Sequence, residues 1–198
     1  MDAFNRTAFL FINAPDHPAA PIVFVARLSG EYCIWLVPLL IGLGWLRGNE
    51  WQRKAMLEAT VAGLVGLMLN VLISTVWQHP RPFMIGLGHT LIPHAADSSF
   101  PSDHLTLLWA VAFSLLTHAR VRAPGLALAL IGLPMAWARI YLGVHFPLDM
   151  VGAVVVAVVS ARVAMGTRLG LVWPAYAALM PVHRKLFGPL IRRGWLQE

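Results

Sequence analysis

The sequence predicts an all-α integral membrane protein, a bundle of about five transmembrane helices with interfacial N- and C-terminal segments, forming one domain over residues 1–198. Three observations carry that prediction. Only 12% of the residues are charged and 58% are hydrophobic, whereas a soluble protein carries roughly 25% charged residues. So few charges cannot coat a soluble globule of this size. Five apolar runs approach the ~20 residues that a helix needs to cross a hydrocarbon core of ~30 Å. The basic residues gather on one side of those runs.

The elements follow in chain order. The N-terminal stretch MDAFNRTAFLFINAPDHP has a short apolar patch but lacks a basic n-region and a small-residue cleavage site. It reads as an interfacial helix with Phe4, Phe9, Leu10 and Ile12 available for its apolar face. Residues 22–46 are the first candidate span. They hold Cys33, the one cysteine, so no intramolecular disulfide is available. Residues 55–77 are the second span. The third, 103–119, is short enough to start or stop within the interface. The fourth, 124–142, contains Pro134, which is expected to kink it. The fifth, 148–167, includes the strand-prone run VVVAVV, but an isolated strand in lipid leaves its backbone unsatisfied, so helix wins. Ala153, Ala157 and Ala161 recur every four residues, which suits close helix packing. The apolar segment LVWPAYAALMPV (171–182) is short and contains two prolines. It is expected to lie along the inner surface.

Orientation comes from charge. Arg47, Arg53 and Lys54 lie between the first two spans, Arg120 and Arg122 between the third and fourth, and six more from Arg162 to Arg193 end or follow the fifth. That places 11 of the 15 Lys and Arg on one side, which the positive-inside rule makes cytoplasmic. The net charge of +6 does not indicate nucleic acid, because no basic stripe interleaved with exposed aromatics is present. The opposite side keeps Arg6, Arg27, Arg81 and Arg139.

Three short sequences converge on that opposite side: HPRPF (79–83), FPSDH (100–104) and ARIYLGVHFPLD (138–149). Taken singly, each residue has an ordinary reading. Arg81 and Arg139 could snorkel to the interface, and His104 and His145 could be polar interface residues. Asp149 is harder to place, since an ionised Asp in a span costs up to ~3 kcal/mol without a partner. His145 lies four residues before it, one helical turn away if the helix is already wound there. A His–Asp pair beside two arginines calls for an anion, most simply a phosphate. Guanidinium matches phosphate bidentately, and the N-terminus of the third span adds free amides. An imidazole oriented by a carboxylate is then a nucleophile for phosphorus, and a second imidazole can protonate the departing oxygen. No metal-ligand spacing is convincing, with His94 and Asp97 as weak exceptions, so the chemistry reads as independent of metal and cofactor.

The order Arg81-Pro82, then Pro101-Ser102-Asp103-His104, then Arg139, His145 and Asp149 resembles the type-2 phosphatidic acid phosphatase superfamily, whose catalytic core is shared with vanadium haloperoxidases. PRPF, HAADSSFPSDH, ARIYLGVHFPLDM and the ending PLIRRGWLQE look like BcrC-type undecaprenyl-diphosphate phosphatases along most of the chain. The resemblance implies that His145 forms a phosphohistidine, that Asp149 holds its tautomer and stabilises the cationic ring, and that His104 protonates the leaving undecaprenyl phosphate and then activates water. It also implies that Arg81, Arg139 and Ser102 bind the phosphoryl oxygens. The implied setting is the outer face of a bacterial inner membrane, where the carrier lipid for wall synthesis is recycled and bacitracin resistance follows. The implied partners are a polyprenyl diphosphate and membrane lipids. Two positions depart from the family pattern. Ser74 stands where a lysine is frequent, which makes Ser74 and His79 accessory candidates. Asp103 stands where glycine is usual; it reads as a first-turn carboxylate favouring the helix dipole, or as a group that tunes His104 or repels misplaced anions. Other readings stay open: a phosphatase or phosphotransferase for phosphatidate, phosphatidylglycerophosphate or another lipid phosphate, and, remotely, an anion transporter or channel. Oligomeric state is not legible.

Overall fold

A computed structural model describes residues 2–197 of the chain. Its α-helices are α1 (Asp2–Ile12), α2 (Ala20–Arg27), α3 (Leu36–Arg47), α4 (Glu50–Val76), α5 (Asp103–Leu116), α6 (Arg122–Tyr141), α7 (Pro147–Gly166) and α8 (Trp173–Arg192). Segments Ala20–Arg47, Glu50–Val76, Ala119–Tyr141 and Pro147–Gly166 are long and apolar enough to cross a membrane. Leu64, Met68, Leu130, Leu133, Val151 and Val155 stay exposed on their outer faces, as hydrocarbon-facing side chains must be. The protein is an all-helical, membrane-embedded bundle.

The short third span is the centre of that bundle. α5 has 14 residues, about 21 Å of helix, and it packs against α4, α6 and α7 together. Leu105, Leu108 and Leu115 are fully enclosed. Surrounded by protein, α5 does not need the length that a lipid-exposed helix needs. Ala153, Ala157 and Ala161 are buried on α7, which meets both α4 and α5, so the small-residue row serves close packing as expected. Pro134 lies inside α6.

The first span is not one uniform helix. A π-type turn over Leu28–Tyr32 and a 3-10 turn over Cys33–Trp35 join α2 to α3. A side chain at Gly30 would press on Leu142 and Ala138 of the neighbouring segment, and this close approach brings the Gly30 carbonyl towards Arg139. π-type turns often mark functional places in helices, but nothing in the apolar run 22–46 announces one.

α1 corrects part of the interfacial reading. Phe4 and Leu10 are exposed, but Phe9 is fully buried and packs on Phe146 with ring centroids 5.4 Å apart. Asn5 Oδ1 accepts the Leu148 amide at 3.1 Å. Asn13 donates to the carbonyls of His89 and Tyr141 at 2.9 and 3.0 Å. α1 therefore straps the end of the bundle where the three motifs meet, and it spends an aromatic side chain on the core to do so.

The opposite end is closed by buried charge. Glu58, 1% exposed, accepts from Arg168 Nε and NH2 at 2.5 and 2.9 Å and faces His118 Nε2 at 3.1 Å. An unpaired carboxylate in that position would cost several kcal/mol. Asn49 and Gln52 form a reciprocal cap at the start of α4. Arg53, fully buried, donates to the carbonyls of Trp45 and Gln197 at 2.9 and 2.7 Å and meets Met180 Sδ at 3.8 Å. Lys54 Nζ sits 5.0 and 5.1 Å above the rings of Trp173 and Tyr176. The start of α8, its middle and the residues beyond it thus all touch one turn of α4, so α8 lies across this end rather than traversing the bundle. It winds on through Pro181 and Pro189, so residues 171–182 comprise the end of a π-type turn over Arg168–Val172 and the first half of α8.

Candidate active site

The three motifs meet because of where four elements begin or end. Arg81 leads into a short 3-10 turn over Pro82–Ile85. Ser102 and His104 open α5, Arg139 sits in the last turn of α6, and Asp149 sits in the first turn of α7. The tight link from α6 to α7 turns at Gly143 with φ +83°. A side chain there would also collide with the His89 carbonyl, so glycine is required on both counts.

His145 is 2% exposed and Asp149 1%. The imidazole Nδ1 lies 2.9 Å from the Ser99 carbonyl and 3.2 Å from Asp149 Oδ2, both acceptors, so Nδ1 carries the proton. The carboxylate is held in turn by the Phe146 amide at 2.7 Å and by a short hydrogen bond from Ser99 Oγ. Nε2 is left with its lone pair, 3.1 Å from Arg81 NH1. Burial, followed by the charges of Arg139 and Arg81, holds the His145 pKa well below the ordinary histidine value. The ring is neutral at neutral pH, with Nε2 available as a nucleophile.

Arg81 is held by several partners and keeps one NH2 hydrogen free of them. Its Nε donates to Asp97 Oδ1 at 2.8 Å, NH1 also donates to the Val144 carbonyl at 2.9 Å, and NH2 to the Ser98 carbonyl at 3.2 Å. Arg139, 2% exposed, reaches His94 Nε2 at 2.9 Å through NH2 and the Gly30 carbonyl at 3.4 Å through NH1. Its Nε is buried without a partner, and so is Ser102 Oγ. Ser102 occupies the N-cap position of α5, but its hydroxyl makes no capping bond. Buried donors are nearly always satisfied. Two orphans in one cluster, next to two guanidinium groups, describe a place for an oxyanion. His104 is half-buried in the first turn of α5, within electrostatic reach of Arg139, His145, His94 and Arg81.

The remaining candidates fall differently. Asp103 is exposed and accepts from Asn70 Nδ2 at 2.8 Å, tying α5 to α4; its bond is to Asn70 and not to His104. Ser74 Oγ donates back to the Val71 carbonyl at 2.9 Å. Ser74 and His79 line a cavity of about 400 Å³ with Asp97 and Ser98, and His145 is not among its lining residues. His79 packs on Phe146 at 5.5 Å, and its Nδ1 is buried without a partner.

His94 and Asp97, weak metal candidates by sequence, are each bonded to one of the two arginines. Among the described residues no group of three or more His, Cys, Asp or Glu is placed to hold a metal ion. Burial and the Arg81 charge push the His94 pKa down, so its Nε2 accepts from Arg139 as a neutral ring. Sequence reasoning missed Ser99. Its hydroxyl gives no motif signal of its own, and its carbonyl, the part that holds His145, is invisible in any sequence.

Several known proteins resemble this chain. The family model described as "PAP2 superfamily" matches residues 55–173, which contain every residue of the cluster. The chain is 40% identical over 155 residues to "Undecaprenyl-diphosphatase BcrC" of Bacillus subtilis (strain 168), covering 78% of this chain and 79% of that one. It is 33% identical over 204 residues to "Putative undecaprenyl-diphosphatase YbjG" of Escherichia coli (strain K12), covering 100% of each. Among solved structures it is similar to Aquifex aeolicus LpxE, with a TM-score of 0.65 and 27% identity over 83% of this chain and 96% of that one.

Proposed function

The chain belongs to the PAP2 superfamily, and from that premise we propose that it hydrolyses undecaprenyl diphosphate to undecaprenyl phosphate and inorganic phosphate. The observation that carries the reading is the oxyanion place itself. A neutral His145 Nε2 stands beside Arg81, while Arg139 Nε and Ser102 Oγ lie buried and unsatisfied in the same cluster.

The reaction runs in two halves. In the first, the Nε2 lone pair of His145 forms a bond to the terminal phosphorus, and the bond from phosphorus to the bridging oxygen breaks. The anionic diphosphate favours a proton on His104 when it binds; His104 gives that proton to the bridging oxygen, and undecaprenyl phosphate leaves. The charge arriving on the His145 ring is balanced by Asp149 through Nδ1. Arg81, Arg139 and Ser102 hold the three non-bridging oxygens, where charge builds in the transition state. In the second half, neutral His104 takes a proton from water, and the oxygen of that water attacks phosphorus. The phosphorus–nitrogen bond breaks and inorganic phosphate departs, leaving His145 neutral and His104 protonated. Every proton and every developing charge has a side chain assigned to it.

The relatives named as undecaprenyl-diphosphatases support a polyprenyl diphosphate as substrate. The charge asymmetry of the sequence supports a periplasm-facing site in a bacterial inner membrane, where the reaction recycles the carrier for cell-wall synthesis and confers bacitracin resistance. Purified protein in detergent, offered undecaprenyl diphosphate, phosphatidate and phosphatidylglycerophosphate, should release phosphate fastest from the first and equally fast with a chelator present. Faster release from a glycerolipid would replace the substrate, and loss on chelation would overturn the metal-free scheme. A topology reporter fused after Arg122 should read cytoplasmic; a periplasmic reading would invert the orientation.

A further inference from the structure

Arg139 is only half engaged, and in a telling way. Nε and NH2 project from one edge of a guanidinium, and that edge matches two oxygens of a phosphate. Here NH2 donates to His94 Nε2 at 2.9 Å while Nε is buried without a partner. We propose that His94 is a positioning residue of the phosphate clamp. Its Nε2 holds one arm of the Arg139 fork, so that the whole edge faces the place where a phosphoryl group meets His145.

Three features make His94 suited to this. Its ring stands edge-on to the nucleophile, 6.1 Å from His145 between centroids at 80°, so the fork it holds and the attacking ring share one space. The segment leading to it is pinned at Leu91, whose amide donates to the Leu142 carbonyl at 3.0 Å and whose carbonyl accepts from Arg27 at 2.7 Å. Its Nδ1 faces the Ala95 carbonyl at 3.2 Å, which fixes Nε2 as the acceptor. A neutral acceptor also orients a guanidinium without cancelling its charge. Arg81 is held by a carboxylate instead, but Asp97 is 62% exposed, so water screens that pair. Arg139 is buried, and a carboxylate against it would neutralise the charge that an anionic substrate needs.

The role rests on the phosphatase reading above, and its test separates the two. His94→Ala, His94→Gln and His94→Glu are compared with the unaltered protein for turnover of undecaprenyl diphosphate and, by calorimetry, for affinity towards inorganic phosphate. His94→Ala should raise KM and weaken phosphate binding about tenfold, as for loss of a hydrogen bond to a charged group, with kcat changed less than about threefold. His94→Gln keeps a neutral acceptor and should recover most of the affinity. His94→Glu keeps an acceptor but adds negative charge, and should bind phosphate more weakly than His94→Ala. Equal phosphate affinity in all four proteins, or a fall in kcat at unchanged KM, would overturn the role. So would a glutamine variant no better than alanine while both melt at the temperature of the unaltered protein. If the unaltered protein binds phosphate but does not hydrolyse undecaprenyl diphosphate, the substrate reading falls, and the phosphate affinities still decide the role of His94.

Discussion

His145→Gln should reduce turnover by at least ~10,000-fold, to the assay background, because it removes the only nucleophile in the scheme. Glutamine fills much of the space of the imidazole and can still accept from Arg81, so the site should stay folded and continue to bind phosphate. Loss of turnover would therefore report chemistry and not collapse. The companion experiment uses undecaprenyl diphosphate labelled in its terminal phosphate. The leaving group is a lipid phosphate, already a weak base, so the first half of the reaction depends less on His104 than the activation of water does. His104→Ala should accordingly accumulate label on the protein, stable to base and labile to acid as a phosphohistidine is, and His145→Gln should show none. Label retained in His145→Gln would reassign the nucleophile.

Asp149→Asn is expected to lower kcat by about 100- to 1000-fold, less than the ~10,000-fold effect of removing the carboxylate from a serine-protease triad. The difference comes from Ser99. In this site the Nδ1 proton of His145 lies closer to the Ser99 carbonyl, 2.9 Å, than to Asp149 Oδ2, 3.2 Å, so the correct tautomer survives without the carboxylate. What is lost is the negative charge that stabilises the imidazolium of the phosphoenzyme, in a place nearly closed to water, where such a charge matters most. KM should move little, since Asp149 touches no phosphoryl oxygen. A drop as large as that of His145→Gln, measured under saturating substrate, would show that Asp149 alone sets the tautomer and that the Ser99 carbonyl does not contribute.

Some of this site was legible because the chemistry is written in side chains at fixed local spacing. His145 and Asp149 are four residues apart at the mouth of a helix, so the sequence already places them one turn from each other. Arg81, Ser102, His104 and Arg139 stand at span ends, and a membrane constrains which ends share a side. Phe9 shows the opposite case. Its apolar character is plain, but lipid and protein core are equally apolar, and only packing against Phe146 decides between them. His94 and Asp97 were visible as polar residues in a loop. Their partners were not, because hydrogen bonds across 45 and 16 residues depend on how that loop folds back.

The sequence by itself determined the class of the protein, the approximate limits of its apolar helices and the family to which its motifs belong. Hydropathy and the cost of unsatisfied backbone in lipid leave few alternatives, so those features survive without knowledge of any contact. The tertiary structure decided what each group is bonded to. It made α5 the enclosed centre, strapped α1 across the site, gave His145 a backbone carbonyl as well as a carboxylate, left Ser102 and Arg139 with donors to spare and put His94 on the guanidinium fork. Those facts depend on angles and separations of tenths of an ångström between segments far apart in the chain, and hydrogen bonding is sensitive to distance on that scale.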